Sequence, residues 1–572
     1  MSFRSPRLHF TLLLLTCYCS IKIAANGGNR TTVQCLPNQA SSLLQLKHSF
    51  LKPNLSSWQQ GTDCCHWEGV GCDRASGRVI TLDLSDRNLQ STSGLSLALF
   101  NLTSLTNLSL SGNDFGLTSL HSFGFERLTE LLSLNFSNTR LFGQIPIGIG
   151  HLQNLRTLDL PSHTDWPGYA HNDLYLRDPS FQTFVSKFCN LRDLYLDNVQ
   201  IVNGGSTWSI ALADSVPLLQ NLIEGSSLGM LKLRDNHLHG ILPENIGEGC
   251  MLQTIDLNNN QIEGKIPRSL CNCRNLEVLD IGSNQILDTF PSWLGEMSNL
   301  RILILRSNQL YGSIGGPGES DASSKGFSAL QIIDLASNNF SGNLSSKWFD
   351  MLQRMTENSS EKGNALAFDS RFPGEYYQER LTFKGIDLTF TKILTTFKML
   401  DFSNNTFDGP MPDSIGNLIA LHGLNMSHNA FTGRILSKLG DLAQLESLDL
   451  SRNKLSGEIP RDQTSLTYLA VLNLSYNNLT GMIPEGQQFS LFTNSSFEGN
   501  EGLCGKPLSK QCNSSGTGTL NSSVSSQDSV GTIVLFVFVG SGFGVGFAVA
   551  VVLSVAFQAK RWNCNRFRST SK

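Results

Sequence analysis

Between residues 79 and 484 apolar and polar positions follow one recurring phrase, L-x-x-L-x-L-x-x-N-x-L, extended in the fuller copies by x-G-x-I-P. The clearest copies are LQTIDLNNNQIEGKIP from Leu252, LESLDLSRNKLSGEIP from Leu445 and LAVLNLSYNNLTGMIP from Leu469. The ninth-position asparagines Asn236, Asn260, Asn284 and Asn308 fall 24 residues apart, as do Asn405, Asn429, Asn453 and Asn477. A fixed period of this length is the mark of a leucine-rich-repeat solenoid. Within L-x-L the alternation is that of a strand, so Ile255 and Leu257 point inward and Asp256 outward. A single turn cannot bury its leucines, whereas stacked turns share one core and a parallel sheet.

The expected fold is therefore an α/β repeat solenoid with a parallel β-sheet along its concave face. The asparagine is expected where the chain bends away from the strand, its amide satisfying backbone groups that no neighbouring strand reaches. About fourteen turns, from near Leu82 to near Leu472, would stack over roughly 65 Å. Early copies are ragged: the asparagine slot holds Arg87, Thr139, His163 and Val199. Between Asn338 and Asn405 the spacing is 67 residues instead of 24, which leaves an insertion of about 43 near Met351 to Leu394. Its end, YYQERLTFKGIDLTFTKILTTF from Tyr376, alternates like strand.

Composition narrows the setting. With 40% hydrophobic and 16% charged residues and a net charge of -4, the chain of 572 residues is neither disordered nor built for nucleic acid. Arg4 and Arg7, an apolar run from Leu8 to Leu15 and small residues at Ala24 and Ala25 predict a secretory signal over 1–25. The uncharged stretch Val530 to Phe557 is long enough to cross a hydrocarbon layer about 30 Å thick. Lys560, Arg561, Arg566, Arg568 and Lys572 follow it, so that end is expected in the cytoplasm and the chain as a single-pass type I protein of the plasma membrane. Within the span, Gly540, Gly542, Gly544 and Gly546 form two overlapping G-x-x-x-G patterns that let a second helix approach, unless they are simply a glycine-rich stretch.

Export would place the cysteines in an oxidising compartment. About fifteen Asn-x-Ser/Thr acceptors, among them Asn29, Asn101, Asn107, Asn343, Asn404, Asn473 and Asn494, fit the same route. Cys35 and the run CCHWEGVGCD, with Cys64, Cys65 and Cys72, precede the repeats, and Trp58 and Trp67 are expected as core aromatics there. A metal site from Cys64, Cys65 and His66 is the rival reading, but adjacent cysteines are poor tetrahedral chelators. Cys250 and Cys273 lie about one period apart and could bridge adjacent turns, with Cys271 competing. Cys189 is expected to be a buried thiol.

These elements together resemble the plant leucine-rich-repeat receptor-like proteins of the resistance type, which lack a kinase domain. The resemblance rests on Gly-x-Ile-Pro at Gly143 to Pro146, Gly264 to Pro267 and Gly457 to Pro460, on the cysteine run, on an island followed by four turns, and on SFEGNEGLCGKPLSKQC with Cys504 and Cys512. It implies disulfides Cys35 with Cys64 and Cys65 with Cys72 in a cap over 26–78. Repeats are then expected over 79–350, about ten turns with an irregular loop near 163–188. An island follows over 351–394 and four repeats over 395–484. A cap and juxtamembrane stretch occupies 485–529, the membrane helix 530–557 and a short tail 558–572.

The resemblance also implies a function: a cell-surface receptor, most of all in plant defence, that binds an extracellular protein, peptide or glycan and borrows signalling from partner receptor-like kinases. An adaptor kinase would join through the glycine-patterned helix. A co-receptor kinase would touch the island and the four turns after it, with His428, Arg452 and Tyr476 as candidates. A developmental peptide receptor and an inhibitor of secreted wall-degrading enzymes are the alternatives. No H-R-D loop, D-F-G or phosphate-cradling loop occurs, so neither catalysis nor a cofactor is expected. Ligand-binding candidates on the outward strand positions are Arg192, Asp193, Tyr195 and Asp197 on one turn, Met230, Lys232 and Arg234 on the next, and Ile302, Ile304 and Arg306 later. Aromatics and arginine are the usual interface anchors, although an ordinary solvated face is the plainer reading of each. Trp166, Tyr169, His171 and Tyr175 form a second candidate in a long loop.

Overall fold

The structure is a computed structural model that describes residues 34–512, apart from 52, 92, 117, 161–173, 202–227, 316–325, 358–378, 391–392 and 487. Fourteen short parallel strands, from Val79–Asp83 to Val471–Asn473, stack into one sheet, and an antiparallel strand, Val70–Cys72, covers its first edge. Ten of the fourteen precede the insertion and four follow it. The leucines between them build a single core, with Leu82, Leu303 and Leu448 fully buried. Across the core from the sheet the chain returns through short 3-10 turns such as Arg268–Asn272 and Ser292–Glu296.

The repeat asparagine holds adjacent turns together. Asn284 donates from Nδ2 to the carbonyls of Leu257 at 3.0 Å, Ile281 at 3.1 Å and Gly282 at 2.8 Å, while its Oδ1 accepts from the Ile262 amide at 3.0 Å. The same bonds recur at Asn260, Asn405, Asn453 and Asn477. Among the earlier turns Asn113 keeps the pattern, while others depart from it: the Thr139 hydroxyl donates back to Phe136, Val199 simply fills core, and Arg87 points out to Glu68. The residue before each asparagine adopts a left-handed backbone, as Asn259, Ser283, His428, Arg452 and Tyr476 do. After the asparagine, a short strand on the flank pairs with its neighbours, for example Gln261–Gly264 beside His239–Ile241. Gly264 is needed there, because φ is +80° and a Cβ would lie 2.7 Å from the Ile241 side chain.

Both ends are closed. Helix Pro37–His48 lies over the first turn, Gln39 accepts from the Val79 amide at 2.9 Å, and Trp58 stacks on Trp67 at 5.5 Å. Disulfides join Cys35 to Cys64 and Cys65 to Cys72; the four sulfurs cluster within 4.8 Å, but pairing removes the thiolates a metal would need. At the other end Asn500 acts as one more ladder asparagine, bonding the carbonyls of Leu474 and Phe497 and the Leu479 amide. The strand Gly502–Cys504 and the Cys504–Cys512 bond complete that cap. Cys250 is bonded to Cys273 on the next turn, leaving Cys271 free and half-buried.

One expectation fails here. Cys189 is exposed, because Phe188 takes the core position after helix Phe181–Val185 and turns its neighbour outward. The span 530–557, with Gly540, Gly542, Gly544 and Gly546, and the signal segment with Asn29 lie outside the described residues. Among the described residues no helix is long and apolar enough to cross a membrane.

The ladder makes a direct prediction. Asn284→Ala leaves the Ile262 amide without its acceptor inside the stack, at about 1–3 kcal/mol, while the carbonyls of Leu257, Ile281 and Gly282 each keep a second donor in Asn260, Asn308 and the Asn259 amide. Denaturant unfolding should show a loss of about 1–3 kcal/mol, and a change below about 0.5 kcal/mol would remove the asparagine from its structural role.

Candidate functional site

On the open face of the sheet, away from the core, each strand contributes residues on either side of its inward leucine. In six consecutive turns the first of these positions holds Met230, Thr254, Val278, Ile302, Ile332 and Met399, aligned by strand register. Five of the six are apolar, and left in water such a row would forfeit roughly 1.5–3 kcal/mol per large side chain. The insertion covers it. Strands Glu379–Phe383 and Ile386–Phe390 form an antiparallel hairpin that reverses through Lys384 and Gly385, both at positive φ. Leu381, Phe383, Ile393 and the half-buried Leu388, Phe390 and Phe397 pack on Met230, Val278, Ile302, Ile304, Ile332 and Met399 as a second core separate from the first. Gly423 makes room for it, since a Cβ there would lie 2.9 Å from the Phe383 ring.

A charged layer runs beside this second core. Arg234 donates from Nε to Asp256 at 2.9 Å and from Nη2 to Asp280 at 2.6 Å, and Arg306 pairs with Asp334 at 3.4 Å while donating to Thr382 of the hairpin. Asp280 and Asp334 are wholly buried and Asp256 and Asp401 nearly so. Desolvation, then repulsion from Asp256, pushes the Asp197 carboxyl up to about 7. Desolvation raises Asp280 to about 6 against the pull of Arg234, and desolvation with repulsion from Asp401 raises Asp334 to about 7. Asp401 is also raised, by desolvation above all. Lys384 of the hairpin tip meets Glu446 at 2.7 Å; both are partly exposed, so this pair orients the tip more than it stabilises it.

The outward positions singled out from sequence thus divide. Ile302 and Ile304 are fully buried under the hairpin and Met230 nearly so, so they cannot meet a ligand while it is docked. Asp193 is buried and accepts from Thr157 at 3.0 Å, and Lys232 is buried as well. Arg234 and Arg306 are engaged with buried aspartates, and Asp197 accepts from the Arg234 amide at 3.0 Å. These candidates serve the interior of the face. Tyr195 is half-buried with its hydroxyl on the Met230 sulfur, and Arg192 is half-exposed at the edge. Trp166, Tyr169 and His171 lie outside the described residues; Tyr175 is half-buried in strand Leu174–Leu176 with Arg177 5.5 Å over its ring.

His428, Arg452 and Tyr476 stand together on one rim of the last turns, at the left-handed position before the ladder asparagine. The Arg452 guanidinium lies 4.4 Å over the Tyr476 ring, whose hydroxyl meets Glu498 at 3.1 Å. Of the acceptor asparagines on the open face, Asn107 is exposed, while Asn473 donates to Asp449 and accepts from Ser475. Asn101 and Asn494 are exposed.

Stacked parallel strands, an asparagine ladder, cysteine caps and Gly-x-Ile-Pro flanks define a plant-type leucine-rich-repeat solenoid. Family models agree: a leucine rich repeat N-terminal domain matches residues 36–73, and leucine rich repeats match 226–286, 396–418, 444–466 and 468–488. Receptor-like protein Cf-9 of Solanum pimpinellifolium is 36% identical over 253 residues, 41% of this chain and 26% of that protein. Receptor-like protein 50 of Arabidopsis thaliana is 36% identical over 148 residues, 23% of this chain and 16% of that protein. The solved ectodomain of the Arabidopsis thaliana receptor kinase GASSHO1/SCHENGEN3, in complex with Casparian strip integrity factor 2, superposes with a TM-score of 0.52. It is 28% identical and the match covers 76% of this chain and 45% of that one. The chain is a leucine-rich-repeat protein whose relatives are plant receptor-like proteins, and it matches about a quarter or less of the length of these two.

The raised carboxyls fix the sign of a pH dependence. Each binds its proton more tightly folded than unfolded, so the stabilisation is complete below about pH 4 and is lost as pH rises through 6 to 7. Melting of the repeat unit should therefore move down by several degrees between pH 5 and 7.5, and Asp334→Asn should flatten that slope; an unchanged slope in the variant would contradict the assignment. Separately, Gly423→Leu should lift Phe383 and speed proteolysis at Lys384 severalfold with the repeat core intact by circular dichroism, whereas unaltered cleavage would mean the hairpin is not held by that contact.

Proposed function

We propose that this chain is a cell-surface receptor-like protein of plants, a single-pass type I protein of the plasma membrane. It binds an extracellular protein, peptide or glycan and signals through a partner receptor kinase in defence. The observation that carries this reading is the insertion folded onto the open face. It fills the centre and leaves polar positions uncovered on either side, among them the exposed Asp83 and Asn107 before it and the half-exposed Asn425 and Asp449 after it. A ligand laid along this face meets variable side chains of several turns together with the hairpin tip, an arrangement suited to an extended or irregular partner.

The kinase partner is assigned to the rim of the last turns. There His428, Arg452 and Tyr476 set large side chains at the left-handed position that the described turns share, at a cost of roughly 1–2 kcal/mol each, where other turns use smaller residues such as Asp235, Asn259, Ser283 and Ser337. An exposed cation–π pair such as Arg452 with Tyr476 returns only about 0.5–1 kcal/mol. Peptide perception in development is the second reading, favoured by the solved relative, whose ectodomain was captured with Casparian strip integrity factor 2.

The test is recovery of receptor kinases with the full chain from plant membranes, with and without microbial extract. Kinase recovery should rise with extract, and Arg452→Ala with Tyr476→Ala should cut it about tenfold, equivalent to roughly 1.4 kcal/mol. Abundance and melting temperature of the variant should stay unchanged. Equal recovery from both proteins would overturn the assignment of the rim, and a response confined to endogenous plant peptides would favour the developmental reading.

A further inference from the structure

On the flank of the solenoid, the short strands that follow the ladder asparagines enclose an open recess of about 530 Å³ lined by Leu287, Gln309, Tyr311, Ser337, Asn339 and Asn404. Leu287 is 54% and Tyr311 44% exposed, which makes this an apolar patch in an otherwise amide-rich surface. Among the described residues neither a hydrogen bond nor a ring contact engages the Tyr311 side chain, while its amide donates to the Asp288 carbonyl at 2.9 Å. Its strand, Tyr311–Gly312, runs parallel to Asn339–Asn343 with Tyr311 directly opposite Asn339. In-register neighbours sit about 4.8 Å apart and project to the same side.

Asn339 begins an Asn-Phe-Ser acceptor. Phe340 is fully buried, so strand alternation turns Asn339 outward, where it is exposed. Two nearby acceptors have their amides engaged: Asn404 donates to Ser337 at 3.0 Å, and the Asn343 amide, oriented by its network, reaches Asp408 at 2.8 Å. Among the described residues no hydrogen bond holds the Asn339 side chain. An unbonded acceptor asparagine thus stands beside a large, unpartnered aromatic face.

We infer that Asn339 carries an N-linked glycan whose first N-acetylglucosamine lies against Tyr311 and Leu287, a reading that rests on export of the chain. Nδ2 attacks C1 of a lipid-diphosphate-linked oligosaccharide; the N–C bond forms, the C1–O bond breaks, the lipid diphosphate leaves, and Nδ2 gives up one of its two protons. The C–H face of the pyranose then covers the tyrosine ring and the leucine, removing both from water, while its hydroxyl and acetamido groups meet Gln309 and the rim at Asn404. Tyr311 is the platform and Asn339 the anchor.

The full chain, secreted from plant cells, supplies the test. Glycopeptide mass spectrometry should find Asn339 occupied in most molecules. Tyr311→Ala should lower the melting temperature by about 2 °C in the glycosylated protein. In the Asn339→Gln background, which has no sugar at this site, the same substitution should change nothing. Trimming the glycan to its first sugar should preserve the difference. An unmodified Asn339 beside occupied acceptors such as Asn101, or an equal effect of Tyr311→Ala in both backgrounds, overturns the inference while leaving export intact. Carbohydrate missing from every acceptor would overturn export and this inference together.

Discussion

The asparagine amide is the constraint from which the rest of this protein follows. Each one closes three carbonyls and one amide group across neighbouring turns, so it fixes the register in which one turn stacks on the next, whatever length of chain lies between. Leucines make the turns want to stack, but they would tolerate slippage; hydrogen bonds with fixed geometry do not. The ladder even reaches into the carboxy-terminal cap, where Asn500 repeats it after 23 residues. Its ragged beginning, with Thr139 and Val199 in the slot, leaves the first turns with fewer such bonds, Asn113 being one that keeps them, and with more dependence on burial and the tryptophan-packed cap.

With the core and ladder fixed, variation moves to the flank, the rim and the open face. The open face is only partly open. Its centre is a second, smaller core formed between strand residues and the hairpin, bordered by five aspartates of which Arg234 and Arg306 neutralise only some. Burying that many carboxylates is unfavourable in their ionised form, which couples the packing of the hairpin to proton binding beneath it. Apolar contact and electrostatic imbalance thus act on the same few side chains, Ile304 and Arg306 among them.

The sequence discloses the solenoid because its signals are periodic: a 24-residue spacing and an alternating L-x-L are local facts that stacking merely repeats. The interior of the open face was not legible for the opposite reason. Ile304 and Met230 occupy positions that are outward by strand alternation, and nothing in their own turns says that a hairpin about 80 residues beyond Ile304 returns to cover them. An apolar residue at an outward position looks the same whether its partner is another molecule or a later part of the chain. The row Val278, Ile302, Ile332 carried a usable signal, because five apolar residues at one register position form a stripe and not an isolated anchor. Cys189 was misplaced for a smaller reason of the same kind, since the side-by-side choice between Phe188 and Cys189 depends on where a short helix ends.

Strand Ile332–Asp334 pairs directly with Met399–Asp401, in the same register as any two consecutive turns. The intervening chain leaves and re-enters the coil without disturbing a single rung. Its length is consequently uncoupled from the spacing of the rungs, whereas its apolar residues remain matched to the row it covers, so the coil is a socket for any appendage that brings an equivalent apolar face.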